Sequence, residues 1–149
     1  AKAVDIFMKF KSDSSKLNCI IPLIPVSLIL IISIFTEDDI HLIVFPSLGI
    51  FVFISLLFTI LYKTLYYEIQ NEVLIISMFF YKTKIKISDI RIIKYSNSII
   101  KTNIYKPGFH HKGIEIIYNK YDDIFISPKN KEQFITQLLL LNSNIEIKK

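Results

Sequence analysis

Two long stretches without a charged residue interrupt an otherwise mixed pattern of apolar and polar positions. Residues 17–35 and 42–62 are apolar all round and lack the polar stripe of a surface helix in a soluble domain. As helices they would rise roughly 28 Å and 31 Å, close to the ~30 Å of a bilayer's hydrocarbon core. The connection Thr36-Glu37-Asp38-Asp39-Ile40-His41 is so short that two such helices must run antiparallel around a polar tip. Pro22, Pro25 and Pro46 fall in the outer parts of the spans, where a missing N–H is tolerated. The pattern therefore predicts a transmembrane hairpin over residues 17–62. A cleaved signal peptide fits less well, because the first apolar run exceeds the usual ~7–15 residues and no small-x-small site follows Phe35. A soluble domain of this size could not enclose both helices.

Beyond the second span the period changes to two. Leu65, Tyr67 and Ile69 alternate with Tyr66, Glu68 and Gln70, the signature of a half-buried strand. Asn71-Glu72 predicts a turn, residues 73–79 a more fully buried strand, and a second turn falls near Tyr81-Lys82. Lys84-Ile85-Lys86-Ile87 then puts lysines on one face and isoleucines on the other. Ser88-Asp89 marks a short turn before a fourth strand over residues 90–95. Residues 96–112 are polar, with Pro107-Gly108 as the clearest breaker, and residues 113–118 and 122–126 predict a hairpin around Asn119-Lys120-Tyr121. Ser127 is placed to cap a helix whose first position is Pro128. On that helix Phe134, Leu138 and Leu141 recur on one face with Ile135 and Leu139 beside them, and Asn142 ends it. Strand alternation and helix stripe together predict one core of Leu65, Tyr67, Ile69, Ile85, Ile87, Ile114, Ile116, Ile124, Ile126, Phe134 and Leu138.

Charge orients this arrangement. Lys2, Lys9, Lys11 and Lys16 precede the first span, Lys63 follows the second, and the tip carries no Lys or Arg. By the positive-inside rule both termini are cytoplasmic in a two-span protein of the cell membrane. The expected division is a cytoplasmic segment 1–16, the hairpin 17–62 and a cytoplasmic domain 63–149. Tyr62, Tyr66 and Tyr67 cluster at the membrane exit, where amphipathic rings favour the headgroup region. From residue 63 onward 14 Lys and Arg stand against 8 Asp and Glu, so the domain is basic. Cys19, the single cysteine, excludes an intramolecular disulfide. Ala1 is not an initiator methionine, whereas Met8-Lys9-Phe10-Lys11-Ser12 reads as a short lead into the first span, so residues 1–7 read as an upstream extension.

Several of these segments carry a resemblance. Tyr67-Glu68-Ile69, Ile85-Lys86-Ile87-Ser88-Asp89-Ile90, Gly113-Ile114-Glu115-Ile116 and Ile126-Ser127-Pro128-Lys129-Asn130-Lys131-Glu132-Gln133-Phe134-Ile135, following two spans, resemble the membrane-anchored bacterial pleckstrin-homology-like (PH-like) proteins. The resemblance runs from about Met8 to the C-terminus, and the Ser-Pro-Lys-x-Lys-x-x-Phe-Ile segment is its most specific part. It implies an α+β fold: a two-helix transmembrane hairpin followed by a bent antiparallel PH-like β-sheet or half-barrel capped by a C-terminal α-helix. Many relatives enter the fifth strand through Ser-Leu-x-Arg-Leu-Glu-Ile; Lys112-Gly113-Ile114-Glu115-Ile116 lacks that Arg, so no role of it carries over.

Candidate chemistry is sparse. His110 and His111 are adjacent, so in an extended loop they point apart, and no further ligand stands at a metal-binding spacing. Asp122-Asp123 sits in a hairpin turn without a nucleophile or base nearby. Three glycines, Gly49, Gly108 and Gly113, make no phosphate-cradling loop. The expectation is a protein that is not an enzyme, with no cofactor and no nucleic-acid partner. It would be a membrane-tethered binding or scaffolding module that recruits a protein partner at the inner face of the bilayer. The alternative is recognition of anionic lipid headgroups through Lys82, Lys84, Lys86, Arg91 and Lys94. Chain geometry adds one candidate surface. The first strand carries the chain outward and the second brings it back, so Phe79, Phe80, Tyr81 and Lys82, with Lys84 and Lys86 following, are expected to meet the headgroups.

Overall fold

The computed structural model describes residues 7–14, 23–35, 40–97 and 106–149. The chain divides into two compact units, Ser15–Lys63 on one hand and Ala1–Ser14 with Thr64–Lys149 on the other.

The first unit holds two apolar helices. Helix α1 (Leu23–Ile34) is 12 residues long, about 18 Å, and its Pro25 falls in the first turn, where a proline costs no hydrogen bond. Residues 17–22 of the first expected span, and 36–39 of the expected tip, lie outside the described residues. Helix α2 (Ile40–Thr64) is 25 residues long with Pro46 inside it. Ile40 and His41, expected in the tip, are its first residues. Within it Val44–Thr64 contains an 18-residue stretch with a mean hydropathy of 2.4 that is almost wholly unburied, which makes it long and apolar enough to cross a membrane, alone in this among the described helices.

The second unit is α+β. Among its described residues, strands β1 (Phe7–Lys11), β2 (Tyr66–Gln70), β3 (Val73–Met78) and β4 (Tyr81–Lys86) form one sheet in that order. Strands β5 (Ile90–Ser96), β6 (Gly113–Tyr118), β7 (Asp122–Ile126) and β8 (Glu146–Lys148) form a second, in the order β7-β6-β5-β8. All pairs are antiparallel except β5 with β8. A single 3-10 turn at Ile87–Asp89 carries the chain from one sheet to the other. Helix α3 (Lys131–Leu141) supplies Phe134, Ile135 and Leu138 to the space between them. The eleven side chains that alternation and stripe aim inward are all buried, and they share one cluster with Phe10, Leu74, Ile76, Ile90, Ile93, Ile135 and Ile145.

Three expectations are corrected and one element is added. The first is that residues 7–11 are not a simple lead. Phe7, Met8, Lys9, Phe10 and Lys11 pair with Gln70, Ile69, Glu68, Tyr67 and Tyr66, adding an edge strand to the domain from before the apolar helices. Phe10 packs its ring edge-on against Phe134 at 5.2 Å, which secures the strand by burial as well as by the ladder. The second concerns the turn before β4, which is Phe79-Phe80 rather than Tyr81-Lys82, because Met78 and Tyr81 still pair. The third is the start of α3. The helix begins at Lys131, not at Pro128, and its N-terminal neighbour Asn130 makes no side-chain cap.

Ser127 is kept from capping by better partners. Its hydroxyl donates to the Asp13 carbonyl at 3.2 Å and lies 3.3 Å from the Ser12 hydroxyl, while its N–H donates to the Tyr67 hydroxyl at 3.1 Å. Tyr67 in turn donates to the Pro107 carbonyl at 2.6 Å. Buried hydroxyls must find partners, and this knot satisfies them where β1, β2, the 106–112 loop and the β7–α3 junction meet. The added element is β8, which sequence patterning does not announce. Gly113 is required where it stands, since a Cβ there would collide with the Ile126 carbonyl oxygen and the Phe125 ring.

Candidate functional site

The β3–β4 turn departs furthest from what turn chemistry favours. Surface turns usually hold Gly, Asn, Asp or Ser, and a bulky residue at positive φ is an outlier. Here Phe79 has φ of 55°. Its ring lies 3.7 Å from that of Phe80, and Phe80 is 87% exposed with Tyr81 beside it 61% exposed. Two aromatic rings are thus held out at a turn whose first residue takes the left-handed conformation.

The register places this turn within its sheet. Tyr66 pairs with Ser77, and Ser77 with Lys82, so Phe79 and Phe80 lie just past the Tyr66 row. That is the end of the sheet at which Thr64 joins β2 and Lys11 ends β1. Asn71-Glu72, the other turn of the sheet, lies at the opposite end.

Lys82, Lys84 and Lys86 follow on β4, all exposed, roughly 7 Å apart at the two-residue repeat of a strand. They share their sheet face with Tyr66, Glu68 and Gln70 of β2 and with Phe7, Lys9 and Lys11 of β1. Lysines therefore stand on both edges of the face, and Glu68 is the acidic residue among these positions. Lys9 Nζ lies 3.8 Å from the Glu68 carboxylate and 3.7 Å from the Tyr66 ring centre. Phe79, Phe80, Tyr81, Lys82, Lys84 and Lys86 are thus continuous along one hairpin. Arg91 and Lys94 are not part of this row. They belong to β5 in the other sheet, and Arg91 donates to the carbonyls of Asn119 and Lys120 at 3.2 and 3.4 Å, which binds it to the β6–β7 turn.

The rings of His110 and His111 do not point apart; they stack at 4.6 Å, and His110 Nδ1 accepts the Lys112 N–H at 2.9 Å. Among the described residues no group of three or more His, Cys, Asp or Glu could hold a metal ion. Asp122 accepts from the Asn119 amide at 2.8 Å across its turn. Burial raises the pKa of the Tyr95 phenol above its ordinary value, and its hydrogen bond to the Glu132 carboxylate at 3.0 Å raises it further.

Sequence reasoning missed a groove beside β1. Met8, Lys9, Phe10 and Lys11 line one wall, and Lys129 and Asn130 before α3 with Gln133 in its first turn line the other, around about 370 Å³. The signal was present, because Met8-Lys9-Phe10-Lys11 alternates apolar and basic residues with period two.

Two four-stranded sheets around one core, with a C-terminal helix packed into it, are consistent with a PH-like domain, a class of generally non-catalytic binding modules. The comparison with family models agrees: the bacterial PH domain model matches residues 65–142, more than half of the chain. The chain belongs to the bacterial PH domain family. No curated protein and no solved structure matches it.

Proposed function

We propose that this protein is a membrane-tethered PH-like module that recruits a protein partner at the inner face of the membrane, held there by a two-span hairpin. One observation carries the reading. Lys11 of β1 and Tyr66 of β2 are direct partners, so the apolar unit Ser15–Lys63 leaves and re-enters the domain at neighbouring positions. A folded domain remains on one side of a bilayer. If Val44–Thr64 crosses, the chain between residues 15 and 43 has to cross in the other direction, and the uncharged run 17–35, which includes α1, supplies the length. The lysines before and after the hairpin, against none in its tip, support a cytoplasmic domain. A tether of this kind raises the local concentration of the module at the membrane, which strengthens binding to anything else held there.

A second reading is favoured by the β3–β4 hairpin. Exposed Phe79, Phe80 and Tyr81 followed by Lys82, Lys84 and Lys86 suit insertion of the turn among headgroups, with the lysines beside anionic lipids. The two readings are compatible, since a tip resting on the bilayer would orient the module for its partner.

Cysteine labelling tests the tether. With Cys19 replaced by Ser the chain has no other thiol. A cysteine introduced by Asp38→Cys is expected to react with an impermeant maleimide on intact cells, and one introduced by Asn71→Cys only after permeabilisation. Labelling of Asp38→Cys only after lysis would refute the orientation.

A further inference from the structure

We infer that the edge of β1 away from β2, which pairs with no strand among the described residues, is a docking site for an extended, acidic segment of a partner protein, added as a further strand along the groove between β1 and α3. The inference rests on the reading of the chain as a binding module and names the edge that would do the binding.

The backbone argument comes first. In an antiparallel ladder each residue turns its N–H and C=O to the same side, and neighbours alternate. The Lys11 carbonyl accepts the Lys129 N–H at 3.0 Å, on the side away from β2. Phe7 and Lys9 therefore present their N–H and C=O groups to that side too. Among the described residues no strand pairs there. Only the far end of the edge is occupied, where Ser12 forms an isolated bridge with Pro128. Unpaired edges of this kind are templates for strand addition.

The groove makes the edge usable. Its volume of about 370 Å³ falls in the range of sites that hold ligands, ~300–1,000 Å³. Its walls combine the β1 residues with the first turn of α3.

Charge selects the occupant. Lys9 and Lys11 stand on one face of β1 and Lys129 on the opposite wall, all exposed. Lys9 is shared with Glu68, whereas Lys11 and Lys129 make no salt bridge among the described residues. A carboxylate opposite Lys9 in an added strand would make the favourable cross-strand pairing of opposite charges, with Lys11 and Lys129 at the end of the strand where that edge is already occupied. A second copy of the chain is disfavoured by the same rule, because its β1 would set lysines against lysines.

The test uses the full chain in phosphatidylcholine nanodiscs, titrated with a fluorescent peptide of alternating Glu and Val. The peptide is expected to bind, and a Lys–Val peptide to bind about tenfold more weakly or worse. Methylating alternate peptide nitrogens should abolish binding, because the donors to the β1 edge are lost. Lys9→Pro removes an edge N–H that β2 does not use, so it should weaken binding well beyond Lys9→Ala, which loses the charge alone. Equal affinity for the two peptides, binding that survives N-methylation, or equal loss in the two Lys9 variants would overturn the proposal. Should Lys9→Pro fail to fold, the methylated peptide on the unaltered chain reads the same edge. Absence of Glu–Val binding in a chain whose Asp38→Cys labelling is normal removes the docking edge and leaves the tether standing; abnormal labelling with intact peptide binding does the reverse.

Discussion

The two hairpin turns of the first sheet are equal in length and populated oppositely. Asn71-Glu72 and Phe79-Phe80 each close a two-residue hairpin, and Asn71, Glu72 and Phe79 all adopt positive φ. At the first turn the residues are polar and exposed, and Asn is among the few side chains that tolerate the left-handed region. At the second, a bulky ring takes the strained position and its neighbour is almost fully exposed. One end of the sheet therefore carries polar residues and the other aromatic rings. The aromatic end is the end from which both connections to the apolar helices depart. The contrast is one of residue type at matched positions, and the exposed lysines of β4 continue from the aromatic end.

The largest expected effect tests whether both turns hang from one core. Phe134 is fully buried, with Phe10 and Tyr67 against its ring. Phe134→Ala should destabilise the domain by about 3–5 kcal/mol in chemical unfolding. A loss below about 1 kcal/mol would mean that α3 does not hold the sheet and that the two turns need not share a frame.

Fluorescence sharpens the contrast itself. The chain contains no tryptophan, so Phe80→Trp and Asn71→Trp each give a single reporter. In nanodiscs Phe80→Trp should emit blue-shifted and be quenched by brominated lipid, with roughly 1.5–3 kcal/mol of burial behind it. Asn71→Trp should be quenched by aqueous iodide instead. Equal iodide quenching of the two would abolish the membrane-facing role of the tip.

The smallest effect separates strain from burial. Phe79→Gly should raise the melting temperature in detergent, by an amount corresponding to at most about 1 kcal/mol, because glycine adopts positive φ without the cost of roughly 1–2 kcal/mol borne by other residues. Asn71→Gly should change stability by only a few tenths of a kcal/mol, since asparagine already tolerates that conformation. If Phe79→Gly is destabilising instead, the ring is a packing residue and not an exposed one.

The alternation in residues 65–70, 84–87, 113–118 and 122–126 settled which side chains face inward before any partner was known, and the stripe on α3 did the same for Phe134 and Leu138. Such signals are local: the period of a strand or helix is written in adjacent residues and follows from backbone geometry alone. What the period cannot state is which strand lies next to which. The pairing of β1 with β2 spans the whole apolar segment, the parallel contact of β8 with β5 rests on three residues, and the removal of Arg91 and Lys94 from the basic row followed from the change of sheet at Ile87–Asp89. Ser127 shows the same limit in a single side chain. Sequence context offered its hydroxyl a helix end, and burial beside Ser12 and Tyr67 offered it partners that only the folded chain brings within reach. The face of each element was decided by residues a few positions apart, and the neighbour of each element by distances in space that the order of residues does not contain.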